Sequence, residues 1–373
     1  MLERAADAGT YPGAWSGVSG YLEVDDPLEQ ALVEIEEETE LRREDVELLG
    51  TSTPLRVENR WLVHPFLFRC LRPEAVTLNR ENAAADWFEP GALRTLATVP
   101  ALEEVYVHAK LAERVHRVAE DDSHGASWLA KEAVEAVALA IELGEDPVEL
   151  GRRLVAARPA MAAIPGALGR VLAAGRSPEQ MVEEARALVA ARERASKAIA
   201  VMLEPYLQGV VMTHSASGTV REALEHTPPD RVVCTVSEPG GEGRGLADDL
   251  RTLGIAVDVV ADEDAPHAAR TVDLVLVGAD AVFPDGTLIN KVGTGDIANA
   301  AKKSAKPVLV ACEVIKLAPT QPREPNEERF ELVSPDLIDL YVTEEGVHAP
   351  DEIAGLIDRT PFLRPGYELL ARL

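Results

Sequence analysis

Four loops in the second half of the chain collect the side chains best suited to holding an anionic small molecule. They are THSAS (213–217), SEPGGEGRG (237–245), GAD (278–280) and NKVGTGD (290–296). Each follows a short apolar run, and most lead into a helix. An open parallel sheet presents a phosphate-binding edge in this way. Gly293, Thr294 and Gly295 precede a helix expected at about Asp296, so their backbone N–H groups can face a phosphate. Lys291 adds positive charge, and Asn290 with Asp280 can hold a ribose-like pattern of hydroxyls. The same residues also fit a plainer role, with Asn290 and Lys291 shaping a hairpin and Gly293 to Gly295 forming its turn. Ser215 reads as a helix N-cap, with Ser217 and Thr219 as alternatives. GGEGRG (240–245) does not have the Gly-x-Gly-x-x-Gly spacing, and no acid follows at the dinucleotide distance, so an NAD site is not expected.

A second group of reactive residues lies near the N-terminus. Glu34, Glu37 and Glu38 fall at i, i+3 and i+4 of an expected helix and therefore on one face. Three carboxylates so placed can hold Mg²⁺ beside a pyrophosphate, and the ion can activate water. The alternative is a solvated acidic face. No other cofactor is implied.

These residues must be positioned by three regions of different texture. Residues 1 to about 105 mix short strand signals with one acidic helix opened by Pro27 and running to about Leu41; WLVHPFLF (61–68) reads as one dense strand. Residues 106–205 are Ala-rich, with 3.6-residue apolar spacing over 125–143, 147–157 and 178–203. Residues 206–373 alternate strands and helices, which predicts parallel βαβ units. The fold class expected is therefore α/β: an α+β domain (1–105), a helical bundle (106–205) and a Rossmann-like parallel-sheet domain (206–373).

Composition narrows the function classes. The 373-residue chain carries a net charge of −27, with 8 Lys among 37 basic residues and none before Lys110. An acidic excess with scarce Lys fits a protein working in high salt, where screening removes most self-repulsion. No basic patch is visible, so direct nucleic-acid binding is not expected. Cys70, Cys234 and Cys312 are far apart in apolar runs and form no metal or disulfide pattern. Buried thiols in a reducing cytoplasm are the expectation. No apolar run reaches membrane-spanning length and no signal pattern opens the chain, so a cytoplasmic protein without membrane partners is predicted.

Two family resemblances rest on these motifs. GVSGYLEVDDPLEQALVEIEEETEL resembles a Nudix box, with TYPGAWSGVSGYLE, VHPFLF and DWFEP resembling the surrounding fold. The resemblance implies a pyrophosphohydrolase with Mg²⁺ on Glu34, Glu37 and Glu38. The box is degenerate: Val33 stands at its Arg, Glu40 at its Gly, and its upstream Glu is at best Asp25 or Asp26. Met1 lies directly before this segment, so a truncated domain lacking its first strand, or a different start, is expected.

From about residue 106 the chain resembles the initiation factor 2B α, β and δ subunit family, which includes two sugar-phosphate isomerases. The resemblance rests on THSAS, EGR (242–244), GAD, NKVGTGD and PDLIDLYVTEEGVHAPDEI. It implies a phosphate- or ligand-binding set of His124, Gly125, Ala126, Ser215, Ser217, Arg244, Asn290, Lys291, Gly293 and Thr294, with Asp280 as the catalytic acid or base. Ser215 occupies the place of the isomerases' Cys and is a far weaker acid. Glu238 replaces an Arg expected to face phosphate. His124 replaces a third expected group, an Arg before Gly-Ala. These changes favour a regulatory subunit that binds a nucleotide or sugar phosphate, forms a homo-oligomer and contacts a translation initiation factor. Ribose 1,5-bisphosphate isomerase is the alternative, and a Nudix-type hydrolase the third reading.

Overall fold

The computed structural model describes residues 1–121, 124–174 and 177–371, Glu193 by its backbone alone. Its internal contacts divide the chain into residues 1–117 and 118–373.

In the first unit, β1 (Leu2–Arg4) pairs antiparallel with β2 (Trp15–Ser16) and with β7 (Asn82–Ala85). A strand is thus present at the very start, where none was expected. Helix α1 (Pro27–Thr39) begins with the Asp26 side chain accepting from Leu28 N at 2.8 Å and with Pro27 in the first turn. It ends at Glu40, whose φ is 55°. Strand β3 (Val46–Thr51) pairs with β6 (Phe66–Cys70), and β4 (Leu55–Val57) forms a hairpin with β5 (Trp61–Val63). WLVHPFLF is therefore two strands rather than one. They separate at His64–Pro65, where proline has no N–H to continue a ladder. Helix α2 (Leu102–Glu120) carries the chain across the division.

The second unit opens with helices α3 (Ala126–Glu142), α4 (Pro147–Ala157), α5 (Ala163–Ala174) and α6 (Pro178–Leu203). Asp146 and Ser177 cap α4 and α6, each followed by proline, which is why these two helices begin where the sequence places them. There follow β8 (Val210–Thr213), α7 (Gly218–His226), β9 (Arg231–Thr235), α8 (Glu242–Thr252), β10 (Val257–Val260), α9 (Ala265–Ala268), β11 (Leu274–Val277), β12 (Ala281–Val282), β13 (Leu288–Lys291), α10 (Thr294–Lys303), β14 (Val308–Ala311), β15 (Phe330–Val333), β16 (Leu340–Thr343), β17 (Gly346–His348), α11 (Ile353–Arg359) and α12 (Leu363–Ala371).

Seven strands form one sheet in the order β10-β9-β8-β11-β14-β16-β17, parallel throughout except for the final β17. Successive strand residues point to opposite faces, and both faces are covered. Val211, Val232, Leu274, Leu276 and Leu309 pack with residues of α6, α7 and α8. Met212, Val233, Val275, Val277 and Val310 pack with residues of α9, α10 and α11. A small antiparallel sheet, β12-β13-β15, lies beyond the end of β11. Cys234 and Cys312 are buried free thiols, as expected; Cys70 is only partly buried. No helix among the described residues is long and apolar enough to cross a membrane.

Candidate functional site

The strand order reverses between β8 and β11: from β8 the chain adds β9 and β10 on one side, then β11, β14 and β16 on the other. Ligands of open α/β sheets bind beyond the carboxyl ends of the strands at such a switch point. Here those ends carry THSAS and GAD. The two loops touch, since a Cβ on Gly278 would lie 2.6 Å from Ser217 Oγ. Ser217, not Ser215, is the N-cap of α7, its hydroxyl accepting from Val220 N at 3.4 Å. The Gly125–Ala126 start of α3 reaches the same place, with Ala216 O 3.6 Å from a Cβ built on Gly125.

His214 fixes three loops to one another. Its ring is buried, with Nδ1 2.7 Å from Thr235 Oγ1 and Nε2 2.9 Å from Val292 O. A carbonyl can only accept, so Nε2 carries the proton and Nδ1 accepts from the Thr235 hydroxyl. Thr235 Oγ1 then accepts from Ser237 Oγ at 2.7 Å, and Ser237 Oγ accepts from Ser215 N at 2.8 Å. Desolvation lowers the His214 pKa, in keeping with a neutral strut. Ser215 and Ser237 both hold left-handed backbone, φ 66° and 68°, a strain that this chain of bonds sustains.

The expected phosphate-gripping groups are largely engaged by carboxylates of the protein itself. Lys291 is buried; its Nζ lies 2.8 Å from Glu242 Oε1 and donates to Pro239 O at 2.6 Å. Ser215 Oγ donates to the same Glu242 oxygen at 2.8 Å. Gly293 N and Gly295 N both donate to Glu331 Oε1, at 2.9 and 2.8 Å. This corrects the expectation that Gly293 to Gly295 face a ligand: Glu331 supplies the anion that the start of α10 favours. Asn290 Nδ2 donates to Thr294 Oγ1 at 3.0 Å, and Thr294 Oγ1 donates to Lys291 O at 2.6 Å, so these two brace the turn from within. Arg244 Nη1 lies 3.4 Å from Glu238 Oε1, both on the surface. His124 stacks on Trp128 with ring centroids 3.8 Å apart, and its Nδ1 is 2.9 Å from Asp121 Oδ2.

On the other side of the switch point the balance differs. Asp280 is partly buried, and its backbone bonds to Ile289 O and Ala162 N. Burial pushes its carboxyl up to about 6, against the opposing pull chiefly of Lys316 and then Arg329. Lys316 follows β14 in a short helical turn and is only 4% exposed. Its ammonium has no hydrogen-bond or ion-pair partner among the described residues. Three residues before it, Glu313 is buried as well, accepting from Ser127 Oγ at 2.7 Å with Arg192 Nε at 3.4 Å. A cavity of about 440 Å³ is lined by Arg158, Glu327 and Arg329 among others. Arg329 and Glu327 are also charges that act on Asp280. Sequence reading missed Lys316, Glu313 and Arg158, for none lies in a loop of small residues.

In the first unit the Mg²⁺ reading does not hold. Glu38 is buried, accepting from Ser19 N at 3.2 Å and Asn82 Nδ2 at 3.0 Å, and burial raises its pKa. Glu34 accepts from Gln30 Nε2 at 2.9 Å, while Glu37 is exposed. Among the described residues no three His, Cys, Asp or Glu side chains are grouped to hold a metal ion. The carboxylates that share a helix face are drawn to different partners, so no step through a metal is derived.

Comparison with known proteins agrees with this arrangement. Residues 122–329 match the profile of the initiation factor 2 subunit family, and residues 1–115 that of the NUDIX domain. A Pyrococcus abyssi protein named as translation initiation factor eIF-2B subunit 2-like is 32% identical over 57% of this chain and 80% of its own length. A ribose 1,5-bisphosphate isomerase of Archaeoglobus fulgidus is 27% identical over 65% of this chain and 90% of its own. The crystal structure of translation initiation factor eIF-2B from Pyrococcus horikoshii OT3 superposes with a TM-score of 0.59 at 27% identity, covering 65% of this chain and 97% of that one. The chain belongs to the initiation factor 2 subunit family.

Proposed function

We propose that residues 118–373 bind a nucleotide or sugar phosphate beside Asp280 and Lys316, beyond the carboxyl ends of the parallel strands. The protein then acts as a regulatory subunit in translation initiation, as part of a homo-oligomer, rather than as an isomerase. The observation that carries the binding is Lys316. Its side chain is almost fully buried with no hydrogen bond or close ion pair among the described residues, Asp280 being the carboxylate that feels its charge, and an anionic ligand would give it a direct partner.

Proton transfer between neighbouring carbons of a sugar needs a second titrating group besides Asp280. Ser215 does not supply one. Its hydroxyl donates to Glu242, and that carboxylate is already paired with Lys291. Asp280, pushed up to about 6, is the one observation favouring the isomerase reading. The readings separate in one assay with purified protein and ribose 1,5-bisphosphate. The regulatory reading expects no ketose to form, while millimolar sugar phosphates raise the melting temperature. Ketose formation that disappears in Asp280→Asn would establish the isomerase instead.

A further inference from the structure

Between the Lys316 turn and β15 the chain reads PTQPREPN (319–326), with proline at every third position. Proline fixes φ and biases the residue before it toward extended backbone, and a period of three is that of a polyproline II helix. Burial keeps the same period: Pro319, Pro322 and Pro325 are half-buried, and Thr320, Gln321, Arg323, Glu324 and Asn326 are exposed. A polyproline II helix has no hydrogen bonds of its own. Residues 319–326 also make no hydrogen bond or ion pair with anything else among the described residues. The N–H groups of the five residues that are not proline therefore have no acceptor there.

Both ends of this segment are fixed beside Asp280. Leu317 bridges to Val282, and Ala318 N donates to Val282 O at 2.8 Å, which sets Lys316 level with Ala281 at one edge of the small sheet. At the other edge Phe330 pairs with Lys291, and Val292 N donates to Arg329 O at 2.9 Å. Between the two edges Asp280 N donates to Ile289 O at 3.0 Å. Lys316 at the outgoing end, and Glu327 and Arg329 at the returning end, are all charges that act on Asp280. The direct path from Leu317 to Phe330 is three strand spacings across and three residues along, about 17 Å. The chain that joins them, largely extended, is on the order of 40 Å long. Its middle is not drawn tight, so it can stand off the sheet or settle toward it.

We propose, resting on the binding reading above, that residues 319–326 form a stiff strap that settles over a sugar phosphate held beside Lys316 and Asp280, its backbone N–H groups donating to the ligand's oxygens. A ligand moves a segment only through contacts that differ between the segment's two positions. Donors without acceptors, meeting phosphate and hydroxyl oxygens, are such contacts. The prolines reduce the chain entropy lost when the strap closes.

Hydrogen–deuterium exchange of the full chain, read by mass spectrometry over peptides spanning 318–328 at one fixed salt concentration, tests this with saturating ribose 5-phosphate and with ribose as the control. An amide without an acceptor exchanges with no opening step, so a general gain in stability does not slow it, whereas a direct contact does. The strap amides should exchange severalfold more slowly with ribose 5-phosphate and at an unchanged rate with ribose. If ribose 5-phosphate raises the melting temperature of the same samples while strap exchange stays unchanged, the strap is overturned and phosphate binding stands. Equal slowing by ribose overturns it too, because closure then owes nothing to the phosphate. If no sugar phosphate raises the melting temperature, the binding reading falls and takes the strap with it.

Discussion

Asp280 shows how one residue records its surroundings. Its carboxyl is pushed up to about 6 by burial, against an ordinary value near that of any exposed aspartate. In the unfolded chain it ionises near pH 4, so folding carries no penalty from this group below that pH. As pH rises through about 6 the folded state is left with an ionised, partly buried carboxylate. The penalty is then on the order of 2 to 3 kcal/mol. Asp280→Asn should therefore stabilise the ligand-free protein at pH 7.5 and have little effect near pH 4, as urea unfolding at the two pH values will show. Asp280 was legible in the sequence because it ends a run of buried strand residues in a GAD loop. Lys316 was not, because nothing local distinguishes it: VIKL reads as one more turn of apolar chain, and its isolation is a property of the folded neighbourhood. The cap of α7 falls on Ser217, the alternative to Ser215, for a similar reason. Which serine caps α7 depends on where the chain turns, and the left-handed φ at Ser215 moves the cap two residues on.

At the scale of elements, the sequence carried the helices best where caps and prolines mark their starts, as in α4 and α6. It carried the sheet where apolar runs of four residues precede polar loops. What it did not carry is the pairing between distant loops. Glu331 reaches the start of α10 from 36 residues away, and Ser127 reaches Glu313 across 186. The helical region and the Lys316 turn are packed without slack: a Cβ on Gly166 of α5 would lie 1.9 Å from Ile315 O. Because that neighbour is backbone, Gly166→Ala must push the Lys316 turn outward, at about 2 kcal/mol or more of stability. Denaturant unfolding measures that loss, and sugar-phosphate affinity should fall with it. Glu344 holds the same turn from the β16 end, both its oxygens accepting from Val314 N, at 3.2 and 3.0 Å. Burial pushes its carboxyl up to about 7.

For the molecule as a whole, the net charge of −27 sets the conditions of any measurement. Repulsion among these charges opposes folding and is screened by salt, so the melting temperature should climb as KCl is raised from dilute to molar concentrations. A flat response would remove the argument for a high-salt protein. Ligand comparisons must for the same reason be made at one ionic strength. The most direct test of the account is a thermal-shift comparison of the unaltered protein and Lys316→Met, each with and without saturating ribose 5-phosphate. At one hundred times its dissociation constant, a ligand should stabilise the unaltered protein by about 2.7 kcal/mol. Lys316→Met, without the ammonium that would meet the phosphate, should not respond to the ligand. An undiminished ligand shift in Lys316→Met, or no shift in the unaltered protein with any sugar phosphate, would contradict the proposal that phosphate binds beside Lys316.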